Sequence, residues 1–492
     1  MQGSKSCEGR LFYQVTLESL VPEGHLVRRL AKIIDLGWTR AATAEHYSHT
    51  GRPSIDPVVI AKMMILGFLY NISSERQLMR EIQVNLAYRW YLGYDLDEEI
   101  PNHSVLSKAR RRLGQAFFEK LFAVVLELCR QAGLVDGGNA LIDSTLVKAD
   151  ASLDSVKPLM RVATDYMEQL EANCQLPKED TKPADKSREL GTNRPGSNRI
   201  SDQKRSTTDA DATLARKGGT TVLGYKTHVC ADSDKGVITA VTASTAAVDD
   251  TSAVPELLDR HYDGLGQMPR RAVTDGSYGS QDCLAYIQDR GIQTVIKKRS
   301  GGNRHGGYDK SLFVYNGAED VFLCPAGQRL ERIRTDKKKG KAHYRCDAEL
   351  CGCCEQRLAC LGKTSPAKAR TVTRFETPYE ARAKAACSSP LGRKLLRIRK
   401  TLLEGLFGEG KNFHGLGRAR WRGLENMMIQ SLVIATVLNL KKLVASLSRA
   451  NAAAAAGAAS FSSLILDNCR LARTILALLV RKQAKICCEI ML

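Results

Sequence analysis

Between residues 17 and 133 the apolar positions recur at helical spacing, and from Ala140 onward they alternate with polar ones over short runs. The first region predicts helices. Asp56-Pro57 offers an N-cap and a favoured first helical residue, and Val58 to Tyr70 is apolar on most faces, as a buried helix is. Ser73 or Ser74 opens a short helix to Ile82. Pro101-Asn102 precedes a helix from Ser104 to Leu113, Gly114 stops it, and Phe117 to Gln131 resumes.

The second region predicts strands. Ala140 to Val147 is the first, and Leu223 to Ala231 with Gly236 to Ala243 makes a hairpin turned at Asp232 to Gly236. Arg271 to Asp275 and Gln293 to Lys297 follow. Helices starting at Asp249 or Asp250 and at Ser280 separate them. The order strand, hairpin, helix, strand, helix, strand describes a mixed α/β layer with helices packed on a sheet. Two stretches interrupt it. Residues 165–215 hold few large apolar groups and predict a structureless excursion, and residues 299–375 form a Gly-, Lys- and Cys-rich insertion. The segments expected are therefore a helical domain (1–135), a sheet core (136–298), the insertion, a helical second part of the core (376–449), and an alanine-rich linker with a terminal helix (450–492).

Composition narrows the partner. The chain has 492 residues, enough for two or three cores, and 43% of them are hydrophobic. Its 73 Lys and Arg against 53 Asp and Glu leave a net charge of +20, which calls for a polyanion. A membrane surface is the weaker choice, because the longest apolar run, Met427 to Leu440, is interrupted by Gln430, Ser431, Thr436 and Asn439. The first 30 residues carry Glu18, Glu23 and Arg28 and show no secretory pattern, so a cytoplasmic protein with reduced cysteines is expected.

Three acids stand in marked settings. Asp143 lies within the first predicted strand, Asp275 ends a later one before Gly276, and Glu404 sits on a basic helix with Arg397, Lys400 and Lys411 at helical steps. Ligand sites favour the carboxyl ends of strands in α/β sheets. Taken singly, an Asp-Gly at a strand end is most often a turn, and a Glu among Lys and Arg is most often a solvated ion pair. Together they could hold two Mg²⁺ ions and clamp the oxygens of a phosphodiester during in-line displacement. Glu409, the nearest rival to Glu404, lies between Gly408 and Gly410, where the helix is expected to end.

Several segments carry a family resemblance. Gly51 to Ile60, Pro101 to Arg110, Leu141 to Asp150, Thr208 to Ala212, Leu223 to His228, Thr274 to Gly279 and Glu404 to Lys411 resemble a DDE transposase of bacterial insertion sequences. The resemblance implies a helical N-terminal DNA-binding domain and a ribonuclease-H-like catalytic core. It also implies Asp143, Asp275 and Glu404 as a catalytic, Mg²⁺-binding triad, with Mn²⁺ able to replace Mg²⁺. Lys411 would hold terminal DNA. Many relatives carry Tyr and Arg seven and four residues before the Glu, where this chain has Arg397 and Lys400, the latter a point charge rather than a fork. The expected activity is cleavage and strand transfer of the element's inverted repeats into target DNA by a homodimer in the bacterial nucleoid. A domesticated DNA-binding relative and a nuclease without strand transfer are the alternatives.

Two further patterns remain. Six of the 15 cysteines lie between 324 and 360, and Cys351-x-x-Cys354 with Cys360 and Cys324 or Cys346 has zinc-ligand spacing, against the alternative of reduced, partly buried thiols. Arg110-Arg111-Arg112, Lys297 to Arg299, Lys337 to Lys341 and Arg418 to Arg422 are basic clusters suited to the DNA backbone. The helices between 57 and 113 suggest a helix-turn-helix-like reader. His25, His228 and His261 are isolated and expected to be structural.

Overall fold

The computed structural model describes residues 15–47, 50, 54–158, 204–297, 306–336, 340–362, 367–375 and 378–456. Seven helices come first: α1 (Leu17–Leu20), α2 (Leu26–Ile33), α3 (Trp38–Thr43), α4 (Pro57–Leu69), α5 (Glu75–Val84), α6 (Leu86–Leu92) and α7 (Ser104–Gln131). Asp56 caps α4, its side chain accepting from Val58 N at 2.9 Å, and Pro57 follows at the start of the helix. Ser74 caps α5. Within α7, Gly114 has φ 62° and breaks the helix where the sequence placed a stop.

The sheet begins with β1 (Asn139–Lys148), followed by a two-stranded pair, β2 (Val156–Pro158) with β3 (Lys204–Ser206). Then come β4 (Thr213–Lys217), β5 (Thr220–Asp232), β6 (Ile238–Thr245), α8 (Val254–Leu265), β7 (Arg271–Thr274), α9 (Gln281–Asp289) and β8 (Gln293–Ile296). The main sheet runs β4-β5-β1-β7-β8, with β6 also paired to β5. Its β1, β5 and β6 are antiparallel in turn, while β7 and β8 lie parallel to β1. An antiparallel meander continued by two parallel strands with crossover helices is the ribonuclease-H-like arrangement.

Both faces of the sheet are covered. Leu141, Val147, Val229 and Val273 join a core shared with α4, α7 and α14 (Leu424–Ala456), so the N-terminal helices and the sheet bury one continuous apolar mass. Ala140, Ile142, Cys230 and Ala272 pack on the other side against Val254, Leu257 and Tyr278. Alternate residues of each strand thus serve opposite faces. The helix Leu424–Ala450 is long and apolar enough to cross a membrane, but 89% of its apolar window is buried inside the protein, as befits a core helix.

The insertion is more ordered than its composition suggests. It holds β9 (Val314–Asn316), β10 (Val321–Leu323), β11 (Arg329–Asp336), β12 (Lys341–Cys346) and β13 (Thr371–Phe375), paired in sequence order, with two short helices, α10 (Ala348–Gly352) and α11 (Arg357–Leu361). After it come α12 (Pro378–Ser388) and α13 (Pro390–Phe413), the latter capped by Ser389. The expected excursion over 165–215 needs correction at its end. Residues 204–206 and 213–217 are strands, because polar side chains at an edge need only a partner backbone, and β5 extends far enough to supply one to β4. Residues 159–203, the clusters at 298–299 and 337–339, and the tail from 457 lie outside the described residues.

Candidate active site

Strand pairing brings two of the three acids together. Every paired position of β1 and β7 is separated by 132 residues, as in Leu141 with Val273, and Asp143 and Asp275 have the same separation. Asp143 lies midway along β1, two residues past the last β1–β7 pair, and Asp275 stands just beyond the end of β7. Asp275 follows β7 and caps a single 3-10 turn, Gly276–Tyr278, accepting from Ser277 N at 2.9 Å and from the Ser277 hydroxyl. Both aspartates line a cleft of about 840 Å³.

Asp143 is a quarter exposed and doubly held: Ser144 N donates to Oδ1 at 2.8 Å, and Arg399 Nη1 donates to Oδ2 at 2.7 Å. Burial holds its carboxyl above the usual carboxylate range. The charge of Asp275 pushes the same way, and Arg399 opposes both.

Arg399 belongs to α13, whose buried side carries Leu395, Leu403, Leu406 and Gly410. Glu404 lies five residues on, about 140° around the helix, and is exposed. It is not among the residues lining the cleft, and no three His, Cys, Asp or Glu side chains among the described residues are posed to hold an ion. Arg397 and Lys400 are exposed on the same side of the helix as Glu404, with Lys411 half-buried further along it. Glu409 does not mark a helix end, since α13 runs on to Phe413. It is tied to Lys441 and lies 3.7 Å from His414.

Several cleft residues carried no signal of their own in the sequence. Lys204, Arg216 and Lys226 bring positive charge to its walls, and Asp250 pairs with Lys226 at 2.9 Å. Lys226 was within reach of sequence reasoning, since it lies on the strand paired with β1. Lys204 was not, because it lay in the segment read as structureless, and Arg216 stands immediately after that segment.

The basic clusters divide. Arg111 and Arg112 are exposed. Arg110, expected on the DNA-binding surface, is 8% exposed and committed inward: it donates to Glu75 at 2.7 Å and Asn426 at 3.2 Å and stacks on Trp421 at 3.7 Å. A charge run on a helix must turn one member toward the core when the helix packs on its neighbours. Arg420 is similarly used, donating to the carbonyls of Gly67 and Ile72, and burial pushes its guanidinium down to about 10. Arg418 pairs with Asp150 at 3.3 Å and remains exposed.

The three histidines singled out in the sequence make contacts within the fold. His25 caps α2, His228 is buried against Ser244 and pushed down to about 4 by burial, and His261 is buried against Thr239. Cys324, Cys346, Cys351, Cys354 and Cys360 line one small cavity in the insertion, and none of them is in a disulfide.

Residues 15–112 match the family described as "Transposase domain (DUF772)", and residues 323–444 match the "Transposase DDE domain". The second match contains Glu404, Lys411 and the cysteines of the insertion. Asp143 and Asp275 fall between the two. Among solved structures, the piggyBac transposase synaptic complex with hairpin DNA aligns at 12% identity over 89% of this chain and 83% of that one, with a TM-score of 0.28. No curated protein matches the chain.

Proposed function

We propose that this chain, whose residues 15–112 and 323–444 match transposase families, is a DDE transposase that cuts the ends of a bacterial insertion sequence and joins them to target DNA at the cleft beneath Asp143 and Asp275. The observation that carries this reading is that neighbouring parallel strands bring those two carboxylates into one cleft, walled by Lys204, Arg216 and Lys226.

The donors suit a hard divalent cation. They are carboxylate oxygens from two adjoining strands, and a cation between them would relieve both the burial of Asp143 and its repulsion by Asp275. Glu404 supplies the third carboxylate in this reading, from the exposed side of α13. Mg²⁺ or Mn²⁺ held by these carboxylates would supply Lewis-acid activation of the attacking oxygen and charge neutralisation of the leaving one. Arg399 keeps Asp143 paired until then.

The rest of the work is positioning. Phosphoryl transfer needs alignment and charge neutralisation rather than a covalent protein intermediate. Lys400, Lys411 and Arg397 flank Glu404 along α13 and suit backbone phosphates, as do Arg111 and Arg112 on α7. On α5, Arg76, Gln77, Arg80 and Gln83 are exposed, side-chain types that read base edges in the major groove. Two ends handled together would call for a homodimer.

The test is incubation of the chain with Mg²⁺ and DNA carrying its own flanking inverted repeats. Joined products support the reading. Nicks without joining would leave a nuclease, and a retarded but uncut complex would leave a DNA-binding relative.

A further inference from the structure

The insertion has a core too small to stand alone. Phe313, Phe322, Leu330, Tyr344 and Val372 are its main buried apolar groups, and the sheet around them is built of strands as short as three residues. Units of this size generally need a disulfide, a metal or a larger neighbour to hold them. No disulfide is present among the described residues.

Five thiols meet where that core ends. Cys324 follows β10, Cys346 ends β12, Cys351 lies on α10, Cys354 follows it, and Cys360 lies on α11. They line a single cavity of about 20 Å³, room for one particle of roughly the size of a water molecule. The segment Cys324-Pro-Ala-Gly-Gln328 folds back on its own sulfur. Gly327, at φ +77°, donates its N–H to Cys324 O at 2.8 Å, and Gln328 N donates to Cys324 Sγ at 3.2 Å. A backbone N–H aimed at sulfur favours the thiolate and fixes its direction, as outer-shell donors do in metal sites.

Positive charge is also at hand. Arg370 is 9% exposed and donates to Cys360 O at 3.2 Å and Tyr308 O at 2.8 Å, while its Nε has no partner. A buried guanidinium beside a cluster of thiols offsets the negative charge those thiols would gather on losing their protons.

We infer that Cys324, Cys351, Cys354 and Cys360 bind one zinc ion as a structural four-thiolate site that staples β10 to α10 and α11. Cys346 stands behind this set, buried in the apolar core of the sheet with its side chain hydrogen-bonded to Cys351. Cys353 is exposed and turned away, its Sγ directed at Glu349 O. The sulfurs do not yet surround one point, so the set closes by rotation of the thiols into the cavity they line, to the Zn–S distance of about 2.3 Å. Each thiol releases its proton to solvent, and no electrons move. The site is independent of the catalytic reading, since it needs neither DNA nor the aspartates.

The test is elemental analysis of the full chain purified without chelator. About one zinc per chain is expected, lost in the double variant Cys351→Ser/Cys354→Ser and kept in Cys353→Ser. Should the double variant fail to fold, the wild-type chain decides. Titration with a mercurial thiol reagent should release its zinc, and Co²⁺ in its place should give the absorption of a tetrahedral thiolate site. A chain without zinc, zinc undiminished in the double variant, or Co²⁺ spectra lacking thiolate bands would overturn the inference.

Discussion

Arg399 Nη1 donates to Asp143 Oδ2 at 2.7 Å, so the helix that carries Glu404 also supplies the cation that pairs with the first aspartate. This contact has a pH signature. Burial and Asp275 hold the Asp143 carboxyl above its ordinary value of 3.8, while Arg399 pulls it down. A protonated Asp143 cannot hold a metal, so end cleavage should fall as pH drops through that raised value, above the range of a solvent-exposed Asp. Arg399→Met removes the lowering influence and should move the acid limb of the pH–rate profile to higher pH. An unmoved limb would mean that Arg399 does not act on Asp143.

The two candidate glutamates should separate cleanly. Glu404 is exposed, so Glu404→Gln should leave the unfolding free energy within about 0.5 kcal/mol of wild type while abolishing cleavage. Glu409 pairs with Lys441 on α14 at a partly exposed site, so Glu409→Gln should cost about 0.5–1 kcal/mol and leave the cleavage step intact. The reverse pattern would transfer the third carboxylate to Glu409.

Arg110 should behave as a core residue. Arg110→Ala removes a guanidinium bonded to Glu75 and stacked on Trp421, and should cost about 1.5–3 kcal/mol in denaturant unfolding. Arg111→Ala and Arg112→Ala should cost no more than about 0.5 kcal/mol and flatten the salt dependence of DNA binding. Equal effects of all three on the salt slope would return Arg110 to the surface.

Gly224 marks where the sheet tolerates no side chain. A Cβ there would stand 2.0 Å from Val147 O on β1. Gly224→Ala should therefore push β5 off β1 and cost about 3 kcal/mol or more, with loss of the site at Asp143. Gly405, with nothing within 4 Å on the exposed side of α13, is the control, and its Ala variant should gain about 0.5–1 kcal/mol. Thermal unfolding of the two variants makes the comparison.

The proximity of the two aspartates was legible because strand alternation and a strand-end Gly are local signals, and their separation of 132 residues matches that of the paired positions of β1 and β7. Arg399 was not. It stands among Arg393, Lys394, Arg397 and Lys400, and only the packing of Leu395 and Leu403 decides which of these cations turns inward. The same holds for Arg110, the buried member of a triplet that reads as surface charge. Strands β3 and β4 were missed because they are short and polar; β3 forms against β2, and β4 against the start of β5, Thr220 to Gly224. In the insertion, alternating charged residues such as Arg329, Glu331 and Arg345 hid a sheet whose apolar side is only a few residues deep.

The central claim is that Asp143 and Asp275 form the DNA-cleavage centre proposed for this chain. Its most direct test measures Mg²⁺-dependent cleavage of DNA ending in the flanking inverted repeats, alongside binding of the same DNA, for wild type, Asp143→Asn and Asp275→Asn. The wild type should cut, and both variants should bind with unchanged affinity and leave the DNA whole. Undiminished cleavage by either variant would contradict the account.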